Sequence, residues 1–198
     1  MRTIKLSILF LSLFSFSLQA QFNAGLKAGL NFSNINVDQQ KGAGFDEIFD
    51  AKTGYHVGAF LENSFSAFSG VRVEAMFSTK GAENQLADNE LNLDYLAIPI
   101  LYKIKPLPFF AIHAGGEFGF KLEESKESIF DDHNLDVSWA FGASIKLFQR
   151  LGIELRYLHG STDLGDGTRY TDINGDPVDV KFKNRSYQLS FEYYLFGQ

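Results

Sequence analysis

The chain of 198 residues contains no cysteine, which excludes both a disulfide and a lipid-modified N-terminal cysteine. It contains no nucleophile elbow, no phosphate-binding loop and no zinc-protease motif. Beyond Ala20 no run of 18 apolar residues exists, so no transmembrane helix is expected. Positive charge is in the minority, with 18 Lys and Arg against 24 Asp and Glu. What the chain does have is 21 Phe, 8 Tyr and 18 Gly.

The first 20 residues read as a signal peptide. Arg2 and Lys5 form a positive start, and Leu6 to Leu18 is an apolar and serine stretch. That stretch is shorter than the roughly 20 residues a spanning helix needs. Gln19-Ala20 then offers a small residue before a cut ahead of Gln21. Residues 21–198 are expected to form one domain. Losing Arg2 and Lys5 leaves 16 basic against 24 acidic residues, a net charge of −8. Such a surface argues against nucleic acid and against a polybasic membrane-surface protein. In lipid a backbone is satisfied only by helices or by a closed barrel. An exported membrane protein without helices must therefore use the barrel.

The mature chain falls into eight runs of period two, over 22–33, 55–62, 70–78, 96–104, 110–120, 136–147, 151–157 and 187–195. Strict alternation is a strand signal. The runs approach the 9–11 residues of a tilted membrane strand, beyond the 5–6 typical of soluble ones. An even count suits a bacterial barrel. The expected fold is all-β, an eight-stranded antiparallel up-and-down transmembrane barrel.

One face of each run is apolar. The other carries glycines together with Lys27, Arg72, Glu74, Lys103, Glu117, Asp136, Lys146, Glu154, Arg156 and Glu192. A barrel this narrow is filled by its side chains, so long charged groups inside it need opposite partners and small neighbours. These ten residues are expected to form a lumen charge network. Phe22, Tyr102, Phe110 and Tyr193 are expected at one membrane interface. Phe32, Tyr55, Phe77, Phe120, Tyr157 and Tyr187 are expected at the other.

The connections are read at 34–52, 65–69, 79–91 (94 at most), 105–108, 121–133, 148–150 and 161–183, alternately long and short. Outer-membrane barrels have long extracellular loops and short periplasmic turns, which places both termini in the periplasm. Pro106 and Pro108 suit a short turn, because neither donates to a ladder.

Gly25-Leu26-Lys27-Ala28-Gly29-Leu30-Asn31-Phe32-Ser33 and Leu93-Asp94-Tyr95-Leu96-Ala97-Ile98-Pro99-Ile100-Leu101 resemble the small outer-membrane β-barrel proteins of Bacteroidetes, the porin-family or PorT-like barrels. Gly152-Ile153-Glu154-Leu155-Arg156-Tyr157 and Asn184-Arg185-Ser186-Tyr187-Gln188-Leu189-Ser190 are similar to the same family. The resemblance spans the mature chain. It implies outer-membrane lipid and the insertion machinery as partners, and permits a role as an accessory of a secretion or gliding apparatus.

Several features invite a chemical reading. His56 and His113 share the lumen face, but a metal site needs a third ligand, and two satisfied polar side chains are the simpler account. Asp172-Ile173-Asn174-Gly175-Asp176 begins like a calcium loop, but Pro177 stands at its required glycine and Lys183 at its bidentate glutamate. Asn174-Gly175 instead signals a hairpin in which Tyr170 to Ile173 pair with Val178 to Phe182 beyond the membrane. Phe45, Ile48 and Phe49 fit a short helical turn on the barrel rim, or a small contact surface. Glu74, Glu117, Glu154 and Glu192 could be paired catalytic acids, but Lys and Arg on the same face make salt bridges the expected use. No enzyme activity, cofactor or metal is therefore expected. The expected role is structural or interactive, through the long loops and an extracellular or envelope protein. Three alternatives stand beside it: a narrow porin, a secretion accessory, and a soluble lipocalin-like binder with its apolar faces inside.

Overall fold

The computed structural model describes residues 21–39, 49–84, 89–124, 135–162, 169–171 and 177–196. The strands are β1 (Gln21–Gln39), β2 (Phe49–Ser64), β3 (Ser69–Asn84), β4 (Asn89–Leu107), β5 (Phe110–Glu124), β6 (Leu135–Lys146), β7 (Leu151–Gly160), β8 (Arg169–Thr171) and β9 (Pro177–Phe196). From β1 to β7 each strand pairs antiparallel with the next, β7 pairs with β9, and β9 pairs back onto β1. These eight strands form a closed antiparallel barrel. Closure runs along the whole β1–β9 seam, from Ala24 opposite Phe196 to Gln39 opposite Val180.

β8 stands outside the barrel. Among the described residues it pairs with β9 alone, Arg169 opposite Asp179 and Thr171 opposite Pro177, and makes the hairpin read around Asn174-Gly175. Residues 172–176, with the calcium-like stretch, lie outside the described residues, as do residues 1–20, Phe45, Ile48 and His133.

Strand parity decides which side each residue meets. Along β7 the even positions from Gly152 to Gly160 are buried, whereas Leu151 and Leu155 are exposed. Exposed large apolar residues cover the outside of the barrel, among them Leu26, Leu30, Val57, Ile100, Phe141 and Phe191. Lys27, Arg72, Glu74, Glu154 and Arg156 are 0–1% exposed inside it. The polarity is thus inverted relative to a soluble barrel, as lipid demands. This overturns the lipocalin-like alternative, which requires the apolar faces inside.

The strands outrun the eight alternating runs. The stretches read as connections at 34–52 and 79–91 are in part strand, since β1 continues to Gln39, β3 to Asn84, and β4 begins at Asn89. Phe49, read as part of a helical turn, opens β2, and Lys80 lies within β3 rather than in a loop. The reason is physical. Apolar alternation reports lipid on one face, and it fades where both faces meet water although the backbone ladder continues. Pro99 interrupts the β3–β4 ladder between Val73–Ile100 and Met76–Ala97, where its missing N–H removes a donor.

One aromatic belt passes between neighbouring strands. Tyr157 lies tilted against Tyr187 at 5.0 Å between ring centroids, Tyr187 lies opposite Phe32, and Tyr55 stands 6.0 Å from Phe77. With strands tilted about 40°, each residue climbs about 2.6 Å, so an apolar band of about 25 Å spans roughly ten residues. Phe22 and Phe110 satisfy that spacing from Phe32 and Phe120. Tyr193 is only six residues from Tyr187, about 16 Å by the same rise, and so stands within the band rather than at its edge. Tyr102 does likewise relative to Leu96, which lies opposite both Phe77 and Phe120. The second edge is completed by exposed Phe65, Phe68, Phe109, Phe148 and Phe196, in or beside the short turns.

Phe191, 63% exposed, lies midway between the two edges on β9. Phe191→Arg should cost about 2–4 kcal/mol of unfolding free energy in lipid vesicles, and the same change at Phe196 about 0–1. Equal costs at the two positions would show that the band is placed wrongly.

Candidate functional site: the charged lumen

The barrel wall places the polar face of every strand in one enclosed space, and the charges there assort into three levels. At the short-turn end, Glu62 of β2 accepts from Arg72 Nη2 at 2.8 Å, Lys103 Nζ at 3.2 Å and Lys105 Nζ at 2.6 Å. Arg72 Nη1 also donates to Glu192, and Arg72 Nη2 donates to the Tyr194 hydroxyl at 2.9 Å. That hydroxyl in turn donates to Glu192 Oε2 at 3.0 Å. The Arg72 guanidinium lies 4.1 Å from the centroid of the Phe60 ring. Such a fork holds two carboxylates and a ring at once, which a lysine cannot do.

The middle level is a four-member knot. Lys27 Nζ reaches Glu74 at 3.2 Å and also binds Glu154. Arg156 Nη2 lies 2.7 Å from Glu74 and 2.8 Å from Glu154. Arg72 Nη1 approaches the knot from below, 3.5 Å from Glu154. Beside it, His56 bonds Asn31 through Nδ1 at 2.7 Å and Ser190 through Nε2 at 2.8 Å. His113 Nε2 stands 3.8 Å from Glu154. Among the described residues no three His, Cys, Asp or Glu groups are arranged to hold a metal.

At the long-loop end, Lys80 Nζ donates to Glu117 at 2.6 Å and lies over the Tyr95 ring at 5.2 Å. Asp136 accepts from the Asn184 amide at 3.3 Å.

The structure therefore brings together Lys27, Arg72, Glu74, Glu154, Arg156 and Glu192 of the ten lumen residues read from sequence. Lys103 joins them through Glu62. Glu117 and Asp136 stand apart in the upper level. Lys146 lies half-buried near the short-turn mouth, 4.9 Å from the Tyr194 ring centroid. Four members were absent from that set: Glu62, Lys80, Lys105 and Tyr194. Continuing the parity of Arg72, Glu74, Met76 and Ser78 by one step reaches Lys80, and Glu62 stands on the polar face of its own run. Lys105 continues the parity of Leu101 and Lys103 by one step, and Tyr194 stands on the polar face of its run after Glu192.

Chemically, every carboxylate of the middle knot faces at least two cations. Acid–base work on a sugar needs one carboxyl kept protonated and a substrate between the pair. Here the space between Glu74 and Glu154 is occupied by Lys27 and Arg156, and all four side chains are 0% exposed.

A closed barrel of eight tilted strands, apolar outside and charged inside, is the architecture of a small outer-membrane protein. The profile of the outer membrane protein beta-barrel domain matches residues 15–165, and the chain belongs to that family. No curated protein sequence matches it. Among solved structures it is similar to Ail, the attachment invasion locus protein of Yersinia pestis, crystallised with the heparin analogue sucrose octasulfate. The two share 14% identity over 88% of this chain and 99% of that one, with a TM-score of 0.50. It is also similar to Neisserial surface protein A, at 9% identity over 86% and 96% of the two chains, with a TM-score of 0.52. At these identities the likeness is one of fold.

Proposed function

We propose that this protein is a non-conducting outer-membrane barrel that acts through its long loops as an interaction protein, without enzymatic activity. The observation that carries the reading is the middle knot. Side chains that are 0% exposed meet across the lumen from β1, β3 and β7, which sets an ion-paired plug across any path there. Channels of that kind belong to barrels of about 16 strands. In planar bilayers the protein should give no discrete conductance steps. Steps that Glu74→Ala alters would support the porin reading instead.

In the same reading residues 1–20 are a cleaved signal peptide, both termini are periplasmic and the long connections are extracellular. Charge divides accordingly. Apart from lumen-facing Glu62, Glu74, Glu117, Asp136, Glu154 and Glu192, every acidic residue stands in 34–52, 79–94, 121–133 or 161–183. The short connections hold Lys105 and Arg150 and no acid. A loop partner would thus present a basic surface, unlike the sulfated sugar crystallised with Ail. A PorT-like secretion accessory of Bacteroidetes is one form such a partnership could take, and loss of secretion on deletion would favour it. The cysteine-free chain makes orientation simple to test. On intact cells an impermeant maleimide should label Asp166→Cys and should reach Ser66→Cys only after the outer membrane is opened; the reverse would invert the topology.

A further inference from the structure

Between the Glu62–Arg72–Glu192 level and the short turns the lumen opens into a cavity of about 260 Å³. We propose that this cavity is a binding site for a small organic anion, a carboxylate on a compact apolar body, entering from the aqueous phase at the short-turn end.

Three observations support the assignment. The first is a charge imbalance. The middle level balances Lys27 and Arg156 against Glu74 and Glu154, and the upper level sets Lys80 against Glu117 and Asp136. The lower level sets four cations, Arg72, Lys103, Lys105 and Lys146, against only Glu62 and Glu192. Three of those cations already share Glu62. Lys105, 22% exposed, and half-buried Lys146 turn this surplus toward the mouth, where an entering anion can pair with it.

The second is unspent polar capacity aimed into the cavity. Lys146 lines it and has no carboxylate partner among the described residues; its ammonium lies 4.9 Å from the Tyr194 ring centroid. Asn23 and Ser144 line it too, buried, and their side chains make no hydrogen bond among the described residues. The third is apolar surface in the same lining, where Ala111, buried on the lumen face of β5, stands with Ala67 and Pro108 of the short turns and with the Tyr194 ring. A lining that offers both cations and apolar surface favours an amphipathic anion over a bare inorganic one. At about 30 Å³ per water-sized group the cavity holds roughly nine such groups, the size of a small aromatic acid.

The test uses the full mature barrel in zwitterionic lipid nanodiscs, with benzoate as the probe and benzamide as its neutral counterpart. Backbone amide signals of Ala111, Ser144 and Lys146 are followed by NMR. Benzoate should shift them saturably, and benzamide at least tenfold more weakly. Lys146→Gln should weaken benzoate at least fivefold while the barrel keeps its heat-dependent gel shift. Should that variant fail to fold, Lys105→Gln serves in its place, because Glu62 keeps Arg72 and Lys103. Equal binding of benzamide would overturn the proposal, as would no loss in either folded variant. Shifts confined to outward-facing residues such as Leu107 and Leu195 would equally overturn it, as partition into lipid. Displacement of benzoate by phosphatidylglycerol in the nanodisc would assign the cavity to a lipid headgroup and overturn the soluble anion.

Discussion

Arg72→Met should lower the unfolding free energy by about 3–5 kcal/mol, the cost of stripping the partner from a buried charge. The loss is not spread evenly over its neighbours. Glu62 would keep Lys103 and Lys105, at 3.2 and 2.6 Å, and remain compensated. Among the described residues Glu192 would keep the Tyr194 hydroxyl as its hydrogen-bond partner and no ion pair. Most of the penalty is therefore the cost of leaving Glu192 ionised, 1% exposed, with no cation against it.

That asymmetry makes the prediction specific. Adding Glu192→Gln to Arg72→Met should recover most of the loss, whereas adding Glu62→Gln should not, because it leaves two lysines unpaired. Arg72→Lys should fall between wild type and Arg72→Met, since one ammonium cannot span both carboxylates and also lie against Phe60. Urea unfolding in vesicles can be followed through Trp139, the single tryptophan, which stands 57% exposed on the outer face of β6. Equal losses in Arg72→Met and in its double with Glu192→Gln would show that Arg72 acts by packing rather than by charge.

The same residues show how far a sequence can be read. The fold was legible because lipid and lumen impose opposite chemistry on alternate residues, setting Arg72 and Glu74 opposite Val71, Val73 and Phe77; a half-buried soluble sheet alternates in the same way, and the length and even number of the runs separated the two. That alternation also placed Lys27, Glu154 and Arg156 inside. It could not say which charges meet. Lys27 pairs with Glu74 and Glu154, 47 and 127 positions away, and those distances depend on register and barrel stagger. Nor could it find strand ends beyond the membrane, because past Phe32 the apolar parity switches to Ile35 and Val37 and no longer extends the outward face of the run. Lys105 was read as part of a turn and Tyr194 as an unremarked polar-face tyrosine, yet both close the lower level. Both lie within strands that run on toward the mouth, β4 to Leu107 and β9 to Phe196, and which partners they meet there is a tertiary fact.

Gly29→Ala should cost about 3 kcal/mol or more, at or above the top of the range for overpacking, and should leave much of the protein without its heat-dependent gel shift. Gly29 faces inward on β1 between His56 of β2 and Ser190 of β9, on the seam that closes the barrel. A Cβ there would stand 2.1 Å from the Leu189 carbonyl oxygen and 2.7 Å from Ser190 Cα. Both are backbone atoms of the neighbouring strand, so relief requires the strands themselves to part, and with them the ladder on either side. The same crowding recurs at Gly58, 2.1 Å from the Ala75 carbonyl oxygen, and at Gly115, 2.0 Å from that of Ile100. Narrow barrels bend their strands sharply, and inward glycines supply the room. Gly116 is the control, because its nearest atoms lie 3.9 Å away or more. Gly116→Ala should be neutral, or stabilising by about 0.4–1 kcal/mol through the unfolded chain. If Gly29→Ala matched Gly116→Ala in urea midpoint and gel shift, the seam would have slack that the strand geometry denies, and the inward glycines would need another explanation.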